Sequence, residues 1–213
     1  MRYGVMADVH GNIWALDAVL EDASTRGVDR WLNAGDCVYG PLDPAATARR
    51  LRGLDAVTVR GNQDRELLTP QPAADATRRF IDDALDIADR TWLHTLPTSA
   101  WSGPIFMCHG TPRSDIEPLL EHIGPHGVEL RGSEGIRERL GDIQADSELE
   151  VVVCGHTHVP GLVQLPDGPL VLNPGSVGLP AYTDVSPYPH AMEAGSPHAR
   201  YAIVERGAAG WIV

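Results

Sequence analysis

The N-terminal stretch RYGVMADVHGNIWALDAVLEDA, residues 2–23, changes its hydrophobic pattern halfway along. Residues 2–7 form a short apolar run, which is typical of a buried β-strand. From Ile13 onward, apolar residues recur at the spacing of one face of an α-helix, and Gly27 ends the pattern. The chain therefore begins with a predicted strand that is followed directly by a predicted helix.

Further short apolar runs predict more strands, and their alternation with helices favours parallel pairing. Residues 44–52 predict a short helix, and residues 73–93 predict one long amphipathic helix that ends before Pro97. The Pro-Asp-Gly turn at residues 166–168 predicts an antiparallel hairpin. The predicted strands after the first are residues 31–34, 56–59, 105–108, 151–154, 162–165, 170–172, 201–205 and 211–213.

Two long segments show neither the period of a helix nor that of a strand. Residues 111–146 are polar and contain several glycines, so we expect irregular structure there. Residues 182–197 contain several prolines and are predicted to form a long surface loop.

Length and composition are typical of an α/β protein. A chain of 213 residues with 43 % hydrophobic residues can bury one substantial core, so we predict a single domain over residues 1–213. The N-terminal segment before Asp8 resembles neither a signal peptide nor a membrane span, and cytoplasmic residence is expected. The cysteines, Cys37, Cys108 and Cys154, lie in or beside apolar runs and are predicted to be reduced core thiols.

The charges exclude several classes of function. All 17 basic residues are arginines, which excludes lysine Schiff-base chemistry and the lysine-containing phosphate loop. A formal net charge of −12 opposes binding to membranes and extensive binding to nucleic acid, because both partners are anionic. A phosphate-bearing ligand therefore needs a local positive centre.

Five segments share one arrangement, in which an apolar strand ends and potential metal ligands follow beside a glycine. Residues two apart in an extended chain project to the same side, so Asp8 and His10 are expected to face one centre. The same holds for His156 and His158. Open α/β sheets place their sites at the carboxyl ends of strands. The candidate ligands are Asp8, His10, Asp36, Asn62, His109, His156 and His158.

This set of side chains predicts a centre with two metal ions. Imidazole nitrogens mixed with carboxylate oxygens suit Mn, Fe, Ni or Zn better than Ca or Mg. Seven ligands are too many for one transition-metal ion, whereas two ions that share a carboxylate accommodate them. We therefore predict two divalent transition-metal ions, with Mn as the first choice.

Five motifs carry a resemblance to a known family, the calcineurin-like metallophosphoesterases. In chain order they are DVH (residues 8–10), GDCVYGP (35–41), GNQD (61–64), CHG (108–110) and GHTH (155–158). NPGSVG at residues 173–178 extends the similarity, which is greatest to the small single-domain bacterial and archaeal phosphodiesterases. The resemblance implies an α/β fold, a four-layer sandwich of two mixed sheets flanked by helices.

The resemblance also implies a role for each candidate ligand. The two sets of metal ligands are Asp8, His10 and His158 for one ion and Asn62, His109 and His156 for the other. In the family, the residue equivalent to Asp36 bridges the ions, and a hydroxide between them attacks the phosphate ester. The candidate catalytic residues are Asp36, Asn62 and Gln63.

Two residues depart from better-known branches of the family. Tyr39 stands where protein phosphatases and dinucleoside tetraphosphatases carry an arginine, which argues against both of those substrates. Gln63 stands where many members carry a histidine that assists the leaving group. A glutamine amide forms hydrogen bonds but does not deliver a proton at neutral pH.

Several other polar residues have two interpretations. Asn173 and Ser176 either line the site or form a turn after a strand. Arg113 follows His109 closely and is a candidate phosphate contact, and His190 is a candidate proton donor for the leaving group. Solvent exposure is otherwise expected for the histidines outside the motifs, His94, His122, His126, His190 and His198.

The sequence thus predicts a metal-dependent phosphodiesterase or phosphatase that hydrolyses a small soluble phosphate ester. The alternatives are a nucleotide or protein phosphatase and a non-catalytic scaffold of the same fold, as in the retromer subunit of the family. A scaffold is expected to lose ligands, whereas all seven are present here. The oligomeric state, including a homo-oligomer, stays open at this point.

Overall fold

The computed structural model of the protein describes residues 1–70 and 75–213. Its elements follow the predicted order of strand, helix and strand at the N-terminus. In chain order they are β1 (Arg2–Met6), α1 (Ile13–Thr25), β2 (Arg30–Asn33), α2 (Pro44–Arg52), β3 (Ala56–Thr58), α3 (Asn62–Leu68), α4 (Ala76–Ala84), α5 (Ile87–Thr95), β4 (Ser99–Ser102), β5 (Ile105–Cys108), β6 (Glu121–Gly124), β7 (Gly127–Leu130), α6 (Ser133–Leu140), a 3₁₀ turn (Gly141–Ala145), β8 (Val151–Val153), β9 (Gly161–Gln164), β10 (Leu170–Asn173), β11 (Ala181–Asp184), β12 (His190–Glu193), β13 (Ala202–Gly207) and β14 (Gly210–Ile212).

Both large sheets have five strands, and antiparallel strands flank parallel ones in each. In the first sheet, β1, β2 and β3 run parallel, β13 pairs antiparallel with β1, and β14 pairs antiparallel with β13 at the edge. In the second sheet, β5, β8 and β10 run parallel, with β4 and β9 antiparallel at the two edges. Parallel strands end at the same edge, so the loops that follow them lie close together.

The two sheets pack face to face through a layer of aliphatic side chains. Val5 and Leu32 of the first sheet are fully buried in one cluster with Ile105 and Val151 of the second. Each such side chain contributes about 1.5–3 kcal/mol of hydrophobic free energy when it is buried. Helices α1, α2, α4 and α5 pack on the first sheet, and α6 packs on the second. These four layers confirm the predicted sandwich of two mixed sheets flanked by helices.

Three local features can be compared with the sequence directly. The cysteines Cys37, Cys108 and Cys154 are free and buried, as predicted. The turn at residues 166–168 joins β9 and β10 as an antiparallel hairpin, with Asp167 at a positive φ of 48°. No helix in the described part of the chain has both the length and the apolar character needed to cross a membrane.

The prediction of a single long helix over residues 73–93 is wrong. Two helices, α4 and α5, occupy the described part of this segment, and residues 73 and 74 lie outside it. The Asp86 carboxylate accepts a hydrogen bond from the backbone N–H of Asp89, and the Asp89 carboxylate accepts one from the backbone N–H of Asp86. This reciprocal capping starts a new helix, so local hydrogen bonding overrides the continuous apolar pattern.

The two segments expected to lack regular structure contain several elements. Residues 111–146 include the hairpin of β6 and β7 and the helix α6, and residues 182–197 lie partly in the hairpin of β11 and β12. Strand β4 also lies outside the predicted strands. These strands have four residues each and bury few side chains, so their sequence pattern is weak. Strands β7 and β12 contact each other, which joins the two hairpins.

Candidate metal centre

The seven predicted ligands converge at the carboxyl ends of strands from both large sheets. Asp8 follows β1 and Asp36 follows β2, whereas His109 follows β5 and His156 lies three residues after β8. Asn62 is the first residue of α3, shortly after β3. Asn62 and His156 are half-buried and the other five side chains are buried.

One group of potential ligands contains Asp8, His10 and His158, whose ligand atoms lie within 4.8 Å of one another. His10 Nδ1 lies 2.9 Å from the backbone oxygen of Tyr39 and donates to it, which leaves Nε2 as the free nitrogen. That Nε2 lies 3.0 Å from Nε2 of His158, which is 3.6 Å from Oδ1 of Asp8. Three ligand atoms therefore surround one point.

A second group contains Asp8, Asp36 and His109, again within 4.8 Å of one another. His109 Nδ1 donates to the backbone oxygen of Ala34 at 2.8 Å. Its Nε2 lies 3.0 Å from Oδ1 of Asn62 and 3.4 Å from Oδ2 of Asp36. The same Asn62 oxygen is 3.2 Å from Nδ1 of His156, the seventh candidate.

The two groups lie side by side because Asp8 belongs to both. All seven predicted residues are brought into one continuous cluster, so the structure leaves none of them isolated. The assignment of three ligands to each ion, with Asp36 as the bridge, stays a prediction.

The backbone adopts an unfavourable conformation at five candidate ligands. They have positive φ angles between 50° and 71°, and Asp167 is the only other non-glycine residue of this kind in the described part of the chain. A positive φ costs about 1 kcal/mol or more, although Asp and His tolerate it better than bulky residues do. Such strain is typical of functional sites. The five residues are Asp8, His10, Asp36, His156 and His158.

His109 and Asp36 form a buried pair with opposite charges. Burial would lower the pKa of His109, but the charge and hydrogen bond of Asp36 raise it to about 10. Burial would likewise raise the pKa of Asp36, but the charge and hydrogen bond of His109, together with the charges of His10 and His156, hold this pKa below its usual range. A proton on His109 thus compensates Asp36, and a metal cation between them would take over that role.

His156 and His158 are held in the neutral form that metal binding requires. Burial, followed by the charge of His109, lowers the pKa of His156 to about 4. Burial, followed by the charge of His10, lowers the pKa of His158 to about 3. Neutral imidazoles offer a lone pair to a cation without first losing a proton.

Asp8 shows that a cation fits this cluster. Its Oδ2 is buried and has no hydrogen-bond partner among the described residues. Burial raises the pKa of this carboxyl group well above its usual value. A buried carboxylate oxygen without a partner is costly, and a divalent cation beside it removes that cost. The mixed nitrogen and oxygen donors suit a transition-metal ion.

Asn173 and Ser176 support the ligand loops from behind. Ser176 Oγ donates to the backbone oxygen of Asp8 at 2.8 Å, and Asn173 Nδ2 donates to the backbone oxygen of Gly155 at 2.9 Å. Neither side chain lines the cleft above the cluster. Both side chains therefore hold the loops of the candidate ligands and lie outside the lining of the cleft.

A cleft of about 790 Å³ opens above the cluster, which is the size of a small-molecule site. Its floor includes Asp36 and Gln63, and the Oε1 atom of Gln63 is buried without a hydrogen-bond partner in the described part of the chain. Both small hairpins contribute to its walls. Tyr182 of β11 packs its ring against His158, with centroids 4.8 Å apart.

Sequence reasoning missed most of the cleft wall. His122, which is exposed as expected, and His190, which is half-buried, lie in strands β6 and β12 and line the cleft, as do Arg131 and Arg139. Arg113 instead donates to a backbone oxygen of α6 and does not line the cleft. The only signal for these residues was their position in polar segments without a clear period, because the short hairpins left no detectable pattern.

The architecture and the cluster define a class, a four-layer α/β sandwich with a candidate dinuclear centre at the ends of its two sheets. A model of the calcineurin-like phosphoesterase superfamily domain matches residues 1–191, and the chain belongs to this superfamily. Membership supports metal-dependent hydrolysis of phosphate esters as the general class of activity.

Individual relatives agree with this classification. A metallophosphoesterase from Sphaerobacter thermophilus is 27 % identical, with a TM-score of 0.73 over 96 % of this chain and 84 % of that chain. A hypothetical protein from Pyrococcus horikoshii shares the fold at 16 % identity, with a TM-score of 0.68 over 96 % of this chain and 87 % of its own. An uncharacterized protein from Methanocaldococcus jannaschii is 24 % identical over 201 residues, which cover 83 % of this chain and 76 % of that protein.

Proposed function

We propose that the protein is a phosphodiesterase or phosphatase that hydrolyses a small phosphate ester with two divalent transition-metal ions. The observation that carries the proposal is the convergence of seven Asp, His and Asn side chains from both sheets in one largely buried cluster. The mixed nitrogen and oxygen donors suit Mn, Fe, Ni or Zn, and Mn²⁺ is the first choice among them. Residence in the cytoplasm stays a prediction.

The side chains of the cluster are oriented before any ligand arrives. Backbone oxygens accept the Nδ1 protons of His10 and His109 and so aim their Nε2 atoms into the cluster. The backbone N–H of Gln63 donates to Oδ1 of Asp36 at 3.0 Å, which fixes that carboxylate. When bound, two cations supply the local positive charge that an acidic chain lacks, polarise the ester and make a shared water more acidic.

Asp36→Asn tests the proposal most directly. The amide keeps the size of the side chain but removes the charge that pairs with His109, so we expect hydrolysis of bis-p-nitrophenyl phosphate to fall at least about 100-fold. The wild-type protein should contain two ions after loading with Mn²⁺, and chelation should abolish its activity.

Asp167→Asn is the matched control, because Asp167 shares the positive φ but lies in the turn after β9. It should retain full activity. Undiminished activity of chelated protein, or one ion in fully active protein, would contradict the dinuclear mechanism.

A non-catalytic scaffold remains the alternative from another class. The full set of candidate ligands and the strain at five of them argue against it, since a scaffold has no need to maintain either. Chelator-sensitive hydrolysis by the wild type, lost in Asp36→Asn, would exclude it.

A further inference from the structure

The cleft contains an arginine that hydrolysis at the metal centre does not require. Arg131 lies between β7 and α6 and lines the same cleft as His10 and Asp36. Its side chain is half-buried, and its Nε atom has no hydrogen-bond partner among the described residues. Burial lowers the pKa of Arg131, and the nearby charge of Arg139 lowers it further.

Arg131 combines two features. Ten of the 17 arginines form ion pairs with aspartate or glutamate in the described structure, and Arg131 is the one arginine in the cleft lining that does not. Of the nearby carboxylates, Glu117 pairs with Arg139 at 2.5 Å, and Glu121 and Glu138 form no ion pair with Arg131 among the described residues. Oε1 of Glu121 accepts a hydrogen bond from Thr157, and its Oε2 has no partner there. A partly desolvated guanidinium group without a close counter-charge costs free energy unless an anion binds to it.

We propose that Arg131, supported by Arg139, forms an anion-binding subsite, so that the substrate carries a second anionic group besides the phosphate that is cleaved. The inference rests on the proposed function, because it places the first phosphate at the metal centre. One cleft of about 790 Å³ includes both places, so a single small molecule can occupy them together. The carboxylates of Glu66 and Asp184 also line the cleft, which disfavours an anion beside them.

The substrate class is therefore a small phosphate ester with a second phosphate. Guanidinium groups bind phosphate through charge-assisted, bidentate hydrogen bonds, and Arg is better suited to this than a simple point charge. The negative net charge of the protein repels polyanions elsewhere on its surface, so selectivity for such a substrate must come from this local positive patch.

Calorimetric titration of the Mn²⁺-loaded protein tests the subsite with two nucleotides that differ by one phosphate, adenosine 3′,5′-bisphosphate and adenosine 5′-monophosphate. The wild type should bind the bisphosphate at least about tenfold more tightly, and Arg131→Met should remove about tenfold to 100-fold of its affinity while leaving the monophosphate unchanged. Methionine keeps the apolar stem that packs on the wall.

Arg137→Met is the matched control, since it removes one charge from α6 at a residue outside the cleft. Glu117→Gln should strengthen bisphosphate binding, because it frees Arg139 from its ion pair. Equal affinity of the wild type for both nucleotides, or equal losses in Arg131→Met and Arg137→Met, would overturn the subsite. If the protein prefers the bisphosphate but hydrolyses no phosphate ester, the proposed function is overturned and the subsite is not.

Discussion

The loops that carry the strained candidate ligands are hydrogen-bonded to each other. The backbone N–H of Asp8 donates to Gly35 at 2.9 Å, and that of His10 donates to Asp36 at 3.0 Å, so the loops after β1 and β2 pair in register. These hydrogen bonds offset the cost of the positive φ angles. The side chains therefore gain fixed directions that a free loop would not provide.

At the same scale, Gln63 should make the rate depend on the leaving group. Its amide cannot protonate a departing alkoxide, and a positioned general acid contributes about 10²- to 10⁴-fold. We expect aryl phosphate esters to react more slowly as leaving-group pKa rises, and Gln63→His to flatten this dependence. Gln63→Asn, which retains an amide, is the control. A shallow dependence in the wild type, unchanged by histidine, would mean that another acid such as His190 already acts.

Glu121 should make stability depend on pH. Its side chain is 5 % exposed, and burial raises its pKa to about 7, although the hydrogen bond from Thr157 opposes this. The folded state therefore binds the Glu121 proton more tightly than the unfolded state. The resulting stability is complete below the pKa of the unfolded chain and is lost as pH rises through about 7.

Glu121→Gln removes this titration and keeps an acceptor for Thr157. Relative to wild type, the free energy of unfolding of the chelated variant should rise by about 3 kcal/mol between pH 4 and pH 8. Urea titrations at both pH values measure it. Glu129→Gln, at an exposed position of β7, is the control and should show no such change. If the difference in unfolding free energy between Glu121→Gln and wild type is the same at both pH values, Glu121 is not the source of the pH dependence.

At the scale of elements, the start of α3 ties two site loops together. The Asp64 carboxylate accepts hydrogen bonds from the backbone N–H of Gly61 at 3.1 Å and of Cys37 at 2.9 Å. This brings Gly61 against Asp36, so close that a methyl group at Gly61 would lie 2.5 Å from the backbone nitrogen of Asp36. The helix start therefore positions Asp36 as well as Asn62.

Gly61→Ala should displace Asp36 and disrupt the site. Overpacking of this kind costs about 1–3 kcal/mol, and we expect activity and Mn²⁺ affinity to fall at least about tenfold. Gly132→Ala is the matched control, because Gly132 also precedes a helix, with φ of −67° against −87° at Gly61, and has open space around it. Thermal unfolding and metal titration of both variants measure the effect. Equal, small effects would show that the loop yields without moving Asp36.

At the scale of the whole molecule, the cluster joins two sheets whose facing sides pack through apolar side chains. Asp8 and Asp36 follow strands of the first sheet, and His109, His156 and His158 follow strands of the second. An ion that is bound by side chains from both sheets stabilises the folded protein relative to the unfolded chain, because it binds only the folded state.

Chelation should therefore lower the thermal stability. One ion at 100 times its Kd contributes about 2.7 kcal/mol, which corresponds to a rise in Tm of about 5–10 °C for a chain of this length. Asp36→Asn should lose most of this shift, and Asp167→Asn should retain it. Scanning calorimetry with Mn²⁺ and with chelator measures both, and an unchanged Tm would contradict a cluster that binds metal across the sheets.

The sequence by itself determined the elements with a strong hydrophobic period, such as β1, α1 and the central strands, because periodicity is a property of neighbouring residues. It also singled out the seven polar residues at strand ends, since residue type and spacing are local. The break at Asp86 is also local, because it comes from capping between Asp86 and Asp89, but the continuous apolar pattern concealed it. Only the tertiary structure decided that the short hairpins form walls of the cleft. It alone placed Arg131 and Tyr182 above the cluster, because these positions depend on contacts between segments far apart in the chain.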